Sequence, residues 1–261
     1  MNDKNFNDVK AEVKLQFGKN AKKYVESKSH SKGEDLQLLL EWTAPKESWT
    51  VLDIAAGGGH VTKLLAPQVK EVYATDLTVE MLKEAKQFLD VYASNIHFIV
   101  ADAENLPFLD ESFDLVTCRI AAHHFPDAKE FLKESHRVLK PGGKLLLIDN
   151  IAPDESNFDE FINTLERLRD SSHVRCYTRN EWESWIDETG LVLVKSKVRK
   201  KQMEYKTWVE RTTSSLEQIK KVAKYIDNTE VNVLDYFGFQ LEESEVLSFK
   251  LDEWMVLLEK K

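Results

Sequence analysis

Apolar positions along this chain follow two rhythms. Short runs rich in β-branched residues, Val51–Ile54, Glu71–Thr75, His97–Val100, Phe113–Cys118 and Lys144–Asp149, read as buried strands. Between them, apolar residues recur three and four apart and predict helices. One runs from His60 to Ala66 and stops at Pro67; another places Val79, Met81, Leu82, Ala85 and Phe88 on one face behind an N-cap at Thr78. A third spans Asp127 to Leu139, and Lys140-Pro141-Gly142-Gly143 turns it into the next strand. Strands alternating with helices through short connections predict an α/β fold, Rossmann-like, with a mostly parallel sheet covered on both faces.

The flanks break this rhythm. Residues Asp8 to Trp42 predict helices outside the sheet, with Phe17, Ala21 and Tyr24 on one face, packed on the core. Between them, Ser27 to Gly33 reads as a polar loop carrying His30 and Lys32, and Glu34 to Trp42 as a helix ended by Pro45. After Asp149 come a helix over Asp154–Arg169 and a second over Arg179–Thr189 with Trp182, Trp185 and Ile186 inward, stopped at Gly190. A strand over Leu191–Val198, helical sequence over Tyr205–Asn228 and a last strand over Trp254–Leu258 complete the chain. The two late strands bring the sheet to seven and give it an antiparallel edge. The basic run Lys195–Lys201 reads as charged positions on that edge strand.

One stretch carries chemistry. Thr50 to Asp76 is a strand, a loop with almost no side chain (Ala55-Ala56-Gly57-Gly58-Gly59), a helix, and a strand ending on an acid. That is the layout of a nucleotide-binding βαβ unit. Gly57 and Gly59 let a ligand lie on the main chain, the helix start behind them offers unpaired N–H groups, and Asp76 can accept both hydroxyl hydrogens of a ribose. The dinucleotide fingerprint needs a third glycine where this chain has Thr62. An acid, Asp53, stands instead four residues before Gly57.

Composition narrows the classes. With 261 residues, 42% of them apolar and 10% aromatic, the chain can bury a large core. A net charge of −9 opposes general nucleic-acid binding, which needs a dense basic surface. Cys118 and Cys176 lie far apart and form no metal-binding spacing, so no metal is expected. The polar start, MNDKNFNDVK, does not have the form of a signal peptide, and no apolar run suits a membrane span. A cytoplasmic protein acting on a small molecule is the expectation, with oligomeric state open.

Six motifs in order carry a resemblance: Asp53…Gly57-x-Gly59; Asp76; Ala101-Asp102-Ala103 with Leu106-Pro107-Phe108; Phe113-Asp114; His123-His124-Phe125-Pro126-Asp127; and Val138-Leu139-Lys140-Pro141-Gly142-Gly143. Over about Phe17 to Asp149 the chain resembles class I methyltransferases dependent on S-adenosylmethionine (SAM), of the ubiquinone/menaquinone-biosynthesis type. The family's usual first glycine is Ala55 here, a substitution that a positive φ would strain. The resemblance implies a helical cap over residues 1–44, a SAM-binding Rossmann-like core over 45–150, and over 151–261 the rest of the same domain, with substrate-side helices, an insertion at about 203–240 and closing strands. It also implies that Asp53 and the loop Ala55 to Gly59 cradle the methionine half of SAM. Asp76 would bind the ribose with Leu77 beside the adenine, Asp102 would take the adenine amino group, and Ala103 would donate its backbone N–H to the ring. The family has a similar Phe…Ala…Tyr segment before its first strand, so the resemblance implies that Phe17, Ala21 and Tyr24 belong to a lid over the cofactor; Tyr24 and Arg119 at the end of the fourth strand complete the expected cofactor set.

His123 and His124 follow that strand, at the sheet edge where open α/β folds place ligands, and are candidate general bases or pocket-lining groups. The polar cluster Arg169–Arg175 supplies His173 and Arg175 as candidate substrate contacts, and the insertion supplies Trp208 and Arg211. The expected reaction is methyl transfer to oxygen or carbon of a small acceptor, releasing S-adenosylhomocysteine. A SAM-binding protein without chemistry and a nicotinamide-dependent oxidoreductase are the alternatives.

Overall fold

In the computed structural model, which describes residues 5–25, 33–213, 215–243 and 245–261, the alternation of apolar side chains along each strand sets the layers. Strands β1 (Thr50–Ile54), β2 (Glu71–Asp76), β3 (Ile96–Val100), β4 (Phe113–Arg119) and β5 (Leu139–Ile151) run parallel in the spatial order β3-β2-β1-β4-β5. Successive side chains leave a strand on opposite faces. Leu52, Ile54, Val116, Cys118, Leu145 and Leu147 therefore pack with Phe131, Leu132 and Trp182 on one side. Val51, Val72, Leu115, Leu146 and Ile148 pack with Leu39, Val61 and Leu65 on the other. Both faces are covered, as a parallel sheet requires.

Helices α1 (Phe6–Val25) and α2 (Glu34–Thr43) precede the sheet, and α3 (His60–Leu65), α4 (Val79–Leu89) and α5 (Ala128–Val138) connect its strands. The expected loop over Ser27 to Gly33, carrying His30 and Lys32, lies outside the described residues apart from its end at Gly33. Pro67 does not simply stop α3: Ala66–Gln68 continues as a 3-10 turn, which tolerates proline near its start. Thr78 occupies the N-cap position of α4, but its hydroxyl makes no capping bond; Asp76 accepts from the Thr78 N–H instead, at 2.8 Å. Asp127 does cap α5, accepting from the Glu130 N–H at 2.9 Å. The Lys140–Gly143 segment lies inside β5, where the register against β4 shifts between Phe113 and Leu115.

The second half contains α6 (Ser156–Arg169), α7 (Arg179–Thr189), β6 (Leu191–Glu204), α8 (Tyr205–Thr212), α9 (Leu216–Asp227), α10 (Val231–Tyr236), β7 (Gln240–Glu242) and β8 (Glu245–Lys260). β8 lies antiparallel between β5 and β6, which makes the expected antiparallel edge, and β7 adds a short eighth strand beside β8. Three features differ from the sequence reading. The helical sequence expected over Tyr205–Asn228 breaks at Thr213, whose hydroxyl accepts from the Ser215 N–H at 3.0 Å, a side-chain alternative to the helix ladder. Both late strands are longer than their apolar runs. The reason is ionic: on β6, Arg199 and Lys200 stand opposite Glu253 and Asp252 of β8 and pair with them, and Lys201 joins Glu253 at 2.5 Å. The basic run thus neutralises two buried acids of its neighbour strand rather than only decorating an edge.

Candidate functional site

The cofactor-side cleft is built where strands end. β1 delivers Asp53 and then a loop that must turn within a few residues. Gly57 sits at φ 55°, an easy conformation only without a Cβ, and so does Ala55 at φ 51°. An alanine there is strained by about 1–2 kcal/mol relative to ordinary backbone. A Cβ on Gly58 would come within 2.9 Å of the Tyr24 carbonyl oxygen, so this glycine lets the end of α1 close down on the loop. His60 at the start of α3 binds the same carbonyl at 3.1 Å.

Four carboxylates, Asp53, Asp76, Asp102 and Glu104, face or underlie the cleft. Asp53 is buried, and its two oxygens accept from the hydroxyls of Thr62 (2.7 Å) and Thr117 (2.8 Å). Thr62, which replaces the glycine of the dinucleotide fingerprint, is thus part of the Asp53 support. Asp76 accepts from the backbone N–H of Gly57 at 3.1 Å and of Thr78 at 2.8 Å, which ties the ends of β1 and β2 together. Burial pushes both carboxyls up to about 6, with those hydrogen bonds opposing the shift. Asp102 lies beyond β3 and accepts from Lys10 of α1 at 2.6 Å; Glu104 also pairs with Lys10. Residues Lys10, Val13, Phe17 and Tyr24 line the cleft from one face of α1.

The cleft encloses about 1010 Å³ including its mouth. Of the ten expected cofactor residues, Tyr24, Asp53, Ala55, Gly57, Asp76, Leu77, Asp102, Ala103 and Arg119 line it, and Gly59 does not. Gly59 instead ends the loop at φ 77° as the N-cap of α3. Arg119 reaches the cleft with its Nε bound to Asp35 of α2.

A second pocket adjoins the first and shares Phe17, Tyr24, Ile120 and His124 with it. Ile120 is its hinge. A β-branched residue at φ 55° is an outlier, and here it swings the chain off β4 so that the following turn carries both histidines back over the strand ends. His123 is bound twice by Asp149 at the end of β5: its main-chain N–H donates to Oδ2 at 2.9 Å, and its Nδ1 meets Oδ1 at 2.6 Å. Burial alone would lower the His123 pKa, but the Asp149 carboxylate outweighs it and the net shift is upward. His124 Nδ1 sits 2.9 Å from the Ser172 carbonyl, while burial and the neighbouring His123 push its pKa down to about 4. The two rings lie 4.3 Å apart, so a proton on one disfavours a proton on the other.

The remaining wall comes from distant segments. Glu166 and Arg169 of α6 pair at 2.6 Å, the Arg169 guanidinium lies 4.5 Å over the Trp208 ring of α8, and Arg211, Lys201, Met203, Asn150 and Leu251 complete the lining. Trp208 and Arg211 are therefore at this pocket. His173 and Arg175 are not, and this corrects the sequence reading. His173 is buried behind the two histidines with Nε2 3.0 Å from Asn163 Oδ1, and Arg175 pairs with Asp159 and Glu181 to hold α6 against the start of α7. Asp149 was missed; its place at the carboxyl end of a strand is the signal that could have found it. No group of three or more His, Cys, Asp or Glu side chains suited to a metal occurs among the described residues.

A mostly parallel α/β sheet, a glycine turn after its first strand, and acids at or just beyond the carboxyl ends of its first three strands define a nucleotide-binding class of α/β fold. Comparison places the chain within that class. Residues 52–147 match the methyltransferase domain family. The uncharacterized methyltransferase YcgJ of Bacillus subtilis (strain 168) is 36% identical over 90% of this chain and 94% of its own. The crystal structure of YcgJ superposes with a TM-score of 0.85 at 33% identity, covering 88% of this chain and 99% of that one. The ubiquinone/menaquinone biosynthesis C-methyltransferase UbiE of Rickettsia felis is 38% identical over 42% of this chain and 48% of its own. The chain belongs to the class I, SAM-dependent methyltransferase family. No helix among the described residues is long and apolar enough to cross a membrane.

Proposed function

We propose that this protein binds SAM in the cleft beside Asp53, Asp76 and Asp102 and methylates an oxygen or carbon of a small acceptor held in the second pocket. The donor chemistry of the cleft fits SAM. Asp76 keeps lone pairs beyond its two backbone bonds for ribose hydroxyls, Leu77, Met81, Val61 and Ala103 offer an apolar slot for a purine, and acidic oxygens suit the amines and the sulfonium charge. When bound, SAM supplies a methyl group already activated for in-line displacement.

The chain then has to position the acceptor, exclude water and remove a proton. The observation that carries the reading is the His123–Asp149 pair in a pocket contiguous with the cofactor cleft. Asp149 fixes the ring through Nδ1, which leaves Nε2 to take a proton from an acceptor hydroxyl or acidic carbon. His124, held neutral, shapes the passage between the two pockets. The C-methyltransferase name of the Rickettsia felis relative is in keeping with carbon as one acceptor atom.

Calorimetric titration with SAM, S-adenosylhomocysteine and NADH, beside Asp76→Ala, tests the reading. Micromolar binding of both adenosyl ligands, weakened about 100-fold in the variant, is expected from loss of charge-assisted bonds to a buried ribose. Binding of NADH alone would overturn it in favour of a dehydrogenase. Adenosyl binding with no transfer to any acceptor would leave a binding protein without chemistry.

A further inference from the structure

We infer that the acceptor brings two separate hydrogens to the histidine end of the second pocket: the one that His123 removes, and a neighbouring O–H or N–H that donates to Asn150. This rests on the second pocket being the acceptor site of a methyltransferase.

Three residues that line this end, His123, His124 and Asn150, each offer an atom that can only accept. The first is fixed by Asp149. Its carboxylate oxygen lies 2.6 Å from His123 Nδ1 and has no hydrogen to give, so the neutral ring carries its proton on Nδ1 and a lone pair on Nε2. The second is fixed by the polar run after α6. His124 Nδ1 lies 2.9 Å from the Ser172 carbonyl and 3.3 Å from the Ser172 hydroxyl. That hydroxyl spends its own hydrogen on Asp170, at 2.6 Å, and the Ser172 N–H donates to the same Asp170 oxygen at 2.9 Å. Both Ser172 oxygens therefore accept from His124, which puts its proton on Nδ1 as well and leaves Nε2 with a lone pair. Burial and the neighbouring His123 hold that ring neutral, with a pKa of about 4.

The third atom is Asn150 Oδ1, on β5, which is buried and has no hydrogen-bond partner within the protein. Donors on the opposite wall do not reach it: Arg169 is bonded twice by Glu166, and Lys201 pairs with Glu253. A buried oxygen left in this state calls for a donor on the ligand. The hydrogen taken by the base cannot serve, because it leaves on His123 as the methyl group arrives. A second hydrogen is needed, and its place is set by Asp149. The same Asp149 oxygen that meets His123 Nδ1 accepts from the Asn150 N–H at 2.8 Å, so the second donor of the acceptor sits beside the atom that loses its proton. Phe17, Met203, Trp208 and Leu251 supply apolar surface for the rest of the ligand. A site built around a bond to an O–H or N–H rejects the analogue that lacks it.

The test uses full-length protein saturated with S-adenosylhomocysteine and titrated calorimetrically with two probe series. One is 2-hydroxybenzyl alcohol and its mono- and dimethyl ethers; the other is cis-1,2-cyclohexanediol and its mono- and dimethyl ethers. At least one diol is expected to bind at least tenfold more tightly than its monomethyl ethers. Asn150→Leu should bring that ratio below about threefold, and Asn150→Asp, which keeps an accepting oxygen, should retain it. S-adenosylhomocysteine affinity should stay within about twofold in both, and near-ultraviolet circular dichroism checks that each is folded. Nitrogen NMR of histidine-labelled protein should show His124 protonated at Nδ1. Monoethers binding as well as diols, an unchanged ratio in Asn150→Leu, His124 protonated at Nε2, or no diol binding to the loaded protein overturns the inference while leaving the methyltransferase reading intact. Failure of S-adenosylhomocysteine to bind takes down that reading and the inference with it.

Discussion

The two pockets meet at Phe17, Tyr24, Ile120 and His124 but are built in opposite ways. The cofactor cleft is the more local: Asp53, Ala55, Gly57 and Asp76 come from one βαβ unit and Asp76 accepts from the backbone N–H groups of Gly57 and Thr78, with Thr117 supporting Asp53 and Lys10 reaching Asp102 from farther along the chain. The second pocket is assembled from α1, the turn after β4, β5, α6, β6, α8 and β8, and its contacts join residues as far apart in sequence as Arg169 and Trp208, whose backbone carbonyl accepts from the guanidinium and whose ring stacks under it. A site made of backbone geometry can tolerate new surroundings. A site made of distant side chains changes with any of the elements that bring them together, and so it can select among acceptors while the cofactor stays the same.

The sharpest way to break this contrast is at the histidine pair. His123→Asn should lower kcat by about 10²–10⁴, the range of a lost general base, while SAM affinity stays within about twofold. Asp149→Asn should lower kcat and also move the pH profile. His123 must be neutral to take a proton, and Asp149 holds its pKa above the ordinary 6.5, so the rate rises with pH through a limb above that value. Removing the carboxylate shifts the limb to lower pH. A variant with an unmoved limb would show that His123 is not the base.

In the cofactor cleft the largest stability effect belongs to Asp53. Its carboxyl titrates at about 6 in the folded chain against 3.8 as an ordinary group, so the folded state holds this proton more tightly. The contribution is favourable below 3.8 and is lost as pH rises to 6. Asp53→Asn, which remains neutral, should therefore gain about 1–3 kcal/mol relative to the parent between pH 4 and 7.5. Urea unfolding at both pH values measures it; using the difference removes the opposing contribution of His124. The same variant should bind SAM less well, so that stability and function part company at this residue.

Smaller effects sharpen the contrast further. Ala55→Gly relieves a positive φ at some entropic cost in the unfolded chain, for a net gain of about 0.5–1 kcal/mol, or about 1–4 °C in Tm. Outside both pockets, Arg175→Ala should leave acceptor KM and kcat unchanged within about twofold. Its partly exposed pairs with Asp159 and Glu181 are worth at most about 1 kcal/mol to stability. A large rise in acceptor KM would return Arg175 to the substrate site.

The sequence by itself determined the parallel core. Five apolar runs separated by amphipathic helices leave few arrangements, and the glycine turn followed by acids at strand ends points to a cleft at the carboxyl ends of the strands without knowledge of any distant contact. Ala55 shows the same locality, since its strain follows from the loop it stands in. Beyond β5 the pattern was weaker for physical reasons. Asp252 and Glu253 masked the first part of β8 because acids inside a strand look exposed until Arg199, Lys200 and Lys201 are found opposite them. Only the tertiary structure decided that Asp149 grips His123, that His173 and Arg175 serve packing rather than a pocket, and that Arg169, Trp208 and Arg211 share a wall with Asn150. Side-chain direction and ion pairing across long sequence separations set those outcomes. Neither is written in local periodicity, because a hydrogen bond between residues tens of positions apart exists only once the chain has folded around it.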